Sequence, residues 1–321
     1  MAREHVNHSD IVRFAQEKVN LPKDKADVYR AQVRGLRDKL ENYLSEHPDF
    51  TLKKMMLSGS LAKGTALRSL NDIDVACYIS GADAPKDVAA LLQYLAERLR
   101  KAYPNFSPDQ VKAQTYSVTV SFRGSGLDVD VVPILYNGDP QWRGNLVSQD
   151  DGSLLETSIP LHLDFTRKRK EAQDTHFAQT VRLIKFWAQK MKRENQDFGF
   201  KSFMIEMILA HLSDKGLKFS DYPEALQHFF TYIATTNLRE RIVFDDYYKP
   251  SQVGAFKEPI QIIDPVNAKN NVSRLYTAPQ ADAIVDAAIV AGDAIDAALA
   301  APTKGESVYY WQKVFGSTFQ T

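Results

Sequence analysis

Two neighbouring stretches decide the fold: Leu57-Ser58-Gly59-Ser60-Leu61-Ala62-Lys63-Gly64-Thr65, and then Asn71-Asp72-Ile73-Asp74-Val75. The first reads as a small glycine-bearing turn and the second as a strand. Side chains two apart on a strand point the same way. Asp72 and Asp74 therefore project together, with Ile73 and Val75 on the opposite face. Two carboxylates on one face repel each other unless a cation lies between them. A hard divalent ion with oxygen ligands, Mg²⁺ first and Mn²⁺ as its substitute, suits them. The backbone N–H groups and hydroxyls of Gly59-Ser60 suit phosphate oxygens. Phosphate, divalent metal and paired aspartates together point to nucleotidyl transfer.

That chemistry calls for a third carboxylate on a strand beside the first. In residues 115–123, Tyr116, Val118, Val120 and Phe122 alternate with polar neighbours, and Gly124-Ser125-Gly126 makes a turn. Leu127-Asp128-Val129-Asp130-Val131-Val132-Pro133-Ile134 follows as a second strand. The pair has the pattern of a hairpin with a short Gly-rich loop. Leu127, Val129 and Val131 share one face, and Asp128 and Asp130 share the other.

Gly59-Ser60, Gly64-Thr65, Asp72-Ile73-Asp74 and Asp130-Val131-Val132-Pro133 resemble the signature of polymerase-beta-type nucleotidyltransferases. The chain is most similar to the cGAS/oligoadenylate-synthase branch, in particular the bacterial CD-NTases. Three later stretches carry the resemblance further. Arg182 to Trp187 resembles the helix that bears a phosphate-binding lysine, here Lys185. Lys201 to Glu206 resembles the segment with a phosphate-contacting serine, Ser202, and a base-stacking aromatic, Phe203. Ile263-Asp264-Pro265 through Asn270-Asn271-Val272 resembles a late Asp-Pro…Asn-Asn segment. The texture around Leu67-Arg68-Ser69-Leu70-Asn71 looks most like the CD-NTases of HORMA-containing phage-defence (CBASS) operons, which make a cyclic trinucleotide of adenosine.

The resemblance implies an α+β fold: a nucleotidyltransferase lobe with a mixed sheet, residues 1–160, and a helical lobe, residues 161–321, with the active site in the cleft between them. It implies two Mg²⁺ ions held by Asp72, Asp74 and Asp130, the last chosen because it precedes Val-Val-Pro. It assigns Gly59, Ser60, Lys185 and Ser202 to the phosphates of ATP and Phe203 to the base. Phe203 stands where a tyrosine is common in the family, so a stacking face is kept and a hydroxyl is lost. The implied product is cyclic tri-AMP; a cyclic dinucleotide, a linear oligoadenylate and a tailed RNA are the alternatives. A HORMA-domain activator and double-stranded DNA are the implied partners.

Composition sets further bounds. The 321 residues carry 40 Lys/Arg against 40 Asp/Glu. A constitutive polyanion binder is usually more basic, which counts against RNA tailing. Residues 160–201 nonetheless hold ten Lys/Arg against five Asp/Glu, a local bias that fits triphosphate binding. The single cysteine, Cys77, excludes an intrachain disulfide, and the seven histidines show no zinc-ligand spacing. No signal peptide is visible, since Met1-Ala2-Arg3-Glu4-His5 leads into a polar stretch, and no membrane span is expected, because Asp282, Asp286, Asp293 and Asp296 interrupt the Ala-rich stretch 281–301. A cytoplasmic protein is expected.

Helices are expected over 9–19, 25–46, 87–103, 163–193, 200–214, 222–234 and 280–300, with 137–160 rich in loops. The helix over 25–46 matches the long spine helix of the branch. The aromatic tail from Val308 to Phe315 reads as a terminal element docked on the body, or as a surface for a partner.

Overall fold

The computed structural model describes residues 5–47, 52–70, 72–80, 85, 87–147 and 153–321. Asn71, where the metal-bearing strand is expected to start, lies outside them. The chain forms two compact units, Leu21–Asp164 and Met1–Asn20 with Phe165–Thr321.

The first unit is built on a seven-stranded mixed sheet. Its strands are β1 (Leu52–Leu57), β2 (Asp72–Ser80), β3 (Val111–Ala113), β4 (Val118–Phe122), β5 (Leu127–Tyr136), β6 (Gly144–Val147) and β7 (Leu154–Thr157). The order is β1-β2-β5-β4-β3, with β6 on β5 and β7 on β6. Only β2 and β5 run parallel. The alternation in the sequence decides which face is covered. Ile73, Val75, Cys77 and Ile79 of β2 and Leu127, Val129 and Val131 of β5 are buried in one apolar cluster. Helices α2 (Lys23–Glu46) and α4 (Val88–Ala102) complete that cluster with Leu36, Leu40, Leu95 and Leu99. Full burial of one such leucine contributes roughly 1.5–3 kcal/mol. Asp87 caps α4, its carboxylate accepting the Ala90 N–H at 2.9 Å. Cys77 is fully buried, and burial pushes its thiol up to about 12, so it serves packing alone.

The loop-rich expectation for 137–160 needs correction, because β6 and β7 form a hairpin there. With four residues each, the two strands are too short to display a clear alternation.

The second unit is helical. It contains α1 (His8–Phe14), which runs into a π-turn over Ala15–Val19, then α6 (His176–Glu194), α7 (Ser202–Asp214), α8 (Tyr222–Thr236), α9 (Ala278–Ala300) and α10 (Lys304–Phe315). The single helix expected over 163–193 is two, α5 (Ile159–Gln173) and α6, because Asp174 adopts φ 53° and ends the first. Aspartate tolerates this left-handed conformation better than most residues. The N-terminal segment packs with this unit rather than with the sheet. The Val6 N–H donates to Ser307 Oγ at 2.9 Å, and Phe14 lies against Phe186, Phe315 and Phe319. Trp311, Phe315 and Phe319 are buried, so the aromatic tail docks on the body.

The Asp-Pro…Asn-Asn segment is a buried polar knot. Asp264 accepts the Val266 N–H at 2.9 Å and the Asn270 amide at 3.0 Å. Asn271 Oδ1 accepts from the Ile262 N–H at 3.1 Å and from Ser273 Oγ at 2.6 Å, and its amide donates to Ile260 O at 2.9 Å. Buried amides and carboxylates are tolerated only when satisfied in this way.

Candidate active site

Parallel pairing sets Asp72 opposite Asp128 and Asp74 opposite Asp130. Neighbouring strands lie about 4.8 Å apart, so these four side chains form two rows on the sheet face away from the helix-covered core. Asp72, Asp74 and Asp128 are exposed and Asp130 is half-buried. Thr119, opposite Asp130 on β4, donates its hydroxyl to Asp130 Oδ1 at 2.5 Å and fixes that carboxylate. Sequence reasoning missed Thr119, although its position between inward-facing Val118 and Val120 put it on the polar face. Among the described residues, no three His, Cys, Asp or Glu side chains converge on a common point. The carboxylates are aligned rather than gathered, as like charges at strand spacing are expected to be.

The glycine turn sits directly over this row. The Ser58 N–H donates to the Asp74 carbonyl at 2.9 Å, and Gly59 opens the short helix α3 (Gly59–Lys63) with φ 61°. A Cβ at Gly59 would lie 1.9 Å from Asp74 Oδ2. Glycine is therefore required twice, for its left-handed backbone and for the space the carboxylate occupies. Gly64, at φ 74°, ends α3, and the Thr65 N–H returns to the Ser60 carbonyl at 2.9 Å. The turn brings Gly59 and Ser60 beside Asp74. The rows of exposed carboxylates on the two adjacent strands are a hard oxygen donor set of the kind that suits a divalent cation such as Mg²⁺.

A Gly59→Ala substitution tests this contact. The methyl group must displace either the turn or the Asp74 carboxylate, and a misplacement of 1 Å at a reacting centre costs about a hundredfold in rate. The expected result is a loss of that order in turnover with a folded protein by thermal melting. Unchanged turnover would show that the Gly59–Asp74 contact has no part in the chemistry.

The helical unit holds a second group of predicted residues. A cavity of about 550 Å³ is lined by Lys185, Lys192, Lys201, Ser202, Phe200 and Tyr276, among others. Lys185 lies on α6 and is only 7 % exposed. Ser202 is the first residue of α7, where the free N–H groups and the helix dipole favour anions. Lys185 and Ser202 thus share one basic cavity. Phe203 does not join them: it is half-buried and is not one of the lining residues. Sequence reasoning also missed Lys192 and Lys201 in this cavity. Lys192 was within reach, since it follows Lys185 by two helical turns on the same face. Tyr276 was not, because it arrives from a loop 75 residues away to accept the Lys201 N–H at 2.8 Å. Burial pushes the Tyr276 hydroxyl's pKa up, against the opposing effect of that hydrogen bond, so it stays protonated at neutral pH.

Comparison with known proteins agrees with this geometry. A family profile described as "Second Messenger Oligonucleotide or Dinucleotide Synthetase domain" matches residues 7–153. The chain is 68% identical over 320 residues to the cyclic AMP-AMP-AMP synthase of Escherichia coli (strain MS 115-1), with 100% of each chain covered. The solved structure of E. coli MS115-1 CdnC with ATP matches with a TM-score of 0.95 at 68% identity, over 99% of this chain and 100% of that one. The CdnC:HORMA-deltaN complex from the same strain matches with a TM-score of 0.93 at 68% identity, over 99% of both chains. With this identity over its whole length, the α+β fold and the aspartate rows on β2 and β5, the chain belongs to the second messenger oligonucleotide or dinucleotide synthetases, a family of nucleotidyltransferase enzymes.

Proposed function

We propose that this chain converts ATP to cyclic tri-AMP as a cytoplasmic signal in anti-phage defence, and that a HORMA-domain partner controls it. The observation that carries the reading is 68% identity over the full length to a cyclic AMP-AMP-AMP synthase. No helix among the described residues is long and apolar enough to cross a membrane.

In this reading Asp72, Asp74 and Asp130 are the residues that would hold the two Mg²⁺ ions. Divalent ions held there would supply charge neutralisation for the phosphates and for the attacking ribose hydroxyl. Asp130, kept in place by Thr119, takes the hydroxyl proton. Gly59 and Ser60 present backbone and hydroxyl donors to the phosphates. Lys185 and Ser202 orient the β- and γ-phosphates, and Phe203 offers its ring face to the base, a contact worth about 1–3 kcal/mol. Little covalent work falls to the protein, so positioning and charge neutralisation carry the rate. A linear intermediate that rebinds with its ends exchanged allows one site to make every bond.

The balanced net charge disfavours RNA tailing, which needs a larger basic surface. Regulation rests on the HORMA complex of the E. coli relative, and double-stranded DNA is the second activator in this reading. The test is incubation of the purified chain with each NTP and Mg²⁺, with and without a HORMA protein and DNA, and mass spectrometry of the small products. Cyclic tri-AMP from ATP alone, raised by HORMA protein and DNA and lowered by salt, is the expected result. A tailed RNA, or a mixed-base cyclic product, would replace the reading; full activity indifferent to both additions would remove its regulatory part.

A further inference from the structure

The Asp264–Ser273 knot has no part in the chemistry above, yet it leads directly to the basic cavity. Ser273, fully buried, shares its hydroxyl proton between Asn271 Oδ1 at 2.6 Å and Ile260 O at 2.8 Å, and its carbonyl accepts the Tyr276 N–H at 2.9 Å. Tyr276 is thereby held three residues beyond the knot, and its ring is 7 % exposed. Its hydroxyl accepts the N–H of Lys201, the residue that caps α7 without any side-chain capping bond of its own. A tyrosine hydroxyl that accepts one hydrogen bond still has a proton to donate. Among the described residues the Tyr276 hydroxyl has no other hydrogen-bond partner. Tyr276 lines the same cavity as Lys185, Lys201 and Ser202.

We infer that Tyr276 is a phosphate-binding residue of this cavity, donating its hydroxyl proton to a nucleotide phosphate oxygen while fixing the Lys201–Ser202 backbone, and that the Asp264–Ser273 knot exists to seat it. The inference rests on reading the cavity as the site of the ATP phosphates. It gives the Asp-Pro…Asn-Asn segment a role: a rigid buried loop sets the height of one hydroxyl, and that hydroxyl sets the first turn of α7. The three lysines supply charge without direction, since an ammonium is a rotatable point donor. A hydroxyl locked by its own acceptor contact supplies direction.

The experiment measures binding of inorganic tripolyphosphate and of adenosine, each with Mg²⁺, to the full chain by calorimetry. Wild type is compared with Tyr276→Phe and with Tyr309→Phe, which removes an exposed hydroxyl on α10. Hydrogen bonds to charged groups contribute enough that Tyr276→Phe should weaken tripolyphosphate about tenfold or more. Adenosine affinity should stay at the wild-type value, the melting temperature should fall modestly because the Lys201 N–H loses its acceptor, and Tyr309→Phe should bind tripolyphosphate as wild type does. Equal tripolyphosphate affinity in wild type and Tyr276→Phe, with or without a lowered melting temperature, would make Tyr276 a structural prop and overturn the inference. Wild type that binds no tripolyphosphate would overturn the phosphate reading of the cavity itself, and the inference with it.

Discussion

Asp72→Asn combined with Asp74→Asn should abolish product formation, with turnover falling at least a thousandfold and the melting temperature unchanged or slightly raised. The two effects have separate origins. Each substitution keeps the shape of the side chain and removes a charge. Under the proposed function, the ions that these carboxylates would hold supply several kcal/mol of charge stabilisation, and about 4 kcal/mol is a thousandfold in rate. Stability moves the other way, because Asp72 and Asp74 face Asp128 and Asp130 across adjacent parallel strands. Removing two of four like charges relieves repulsion in the protein without metal. Steady-state product formation and thermal melting on the same samples check both halves. A double variant that turns over normally would remove the enzymatic role of this face.

The second large effect concerns stability. Arg169 on α5 is buried and makes a two-pronged contact with Asp246, at 2.7 and 2.8 Å, and another with Asp214, at 2.6 and 3.1 Å. Its guanidinium also lies 3.8 Å from the centre of the Phe165 ring. Burial opposes its charge, but the hydrogen bonds and charges of Asp246 and Asp214 outweigh that and raise its pKa. Arg169→Met should cost about 3–5 kcal/mol, because it leaves the buried Asp246 carboxylate without its main partner. The side chain of Asp246 is 8 % exposed, and Lys168 at 3.6 Å compensates only in part. Adding Asp246→Leu to Arg169→Met should recover part of the loss, since it is the abandoned charge that destabilises most. Urea unfolding of the two variants measures this. A loss below about 1 kcal/mol in the single variant would place the ion pair among exposed pairs of little consequence.

How much of this was legible before the structure differs by kind of residue. The aspartate rows were legible because strand periodicity is rigid: residues two apart share a face, and Ile73, Val75, Val129 and Val131 declared which face was buried. That β2 and β5 are adjacent was not in the periodicity and rested on the chemistry that called for a third carboxylate; their parallel direction appears only in the structure. Gly59 was visible as a turn residue, but its contact with Asp74 depends on a backbone path that no local pattern encodes. The break at Asp174 was missed because the buried positions of α5 (Phe165, Arg169, Gln173) and of α6 (Phe177, Val181, Ile184) stay nearly in phase across it. Arg169 looked like one of four consecutive basic residues from Arg167 to Lys170, the usual pattern of a solvated helix face. Its partners lie 45 and 77 residues away. Tyr276 was hidden for the same reason. Residues whose role depends on one distant partner leave no periodic trace.

The proposed function requires the face bearing Asp72, Asp74 and Asp130 to be a divalent-metal site. Its most direct test is Mn²⁺ binding, followed by electron paramagnetic resonance in the presence of a non-hydrolysable ATP analogue, on wild type, Asp74→Asn and Asp130→Asn. Protein-dependent Mn²⁺ binding is expected in wild type, lost or weakened at least tenfold in both variants, each of which still melts cooperatively. Mn²⁺ binding of equal strength in all three proteins would contradict it.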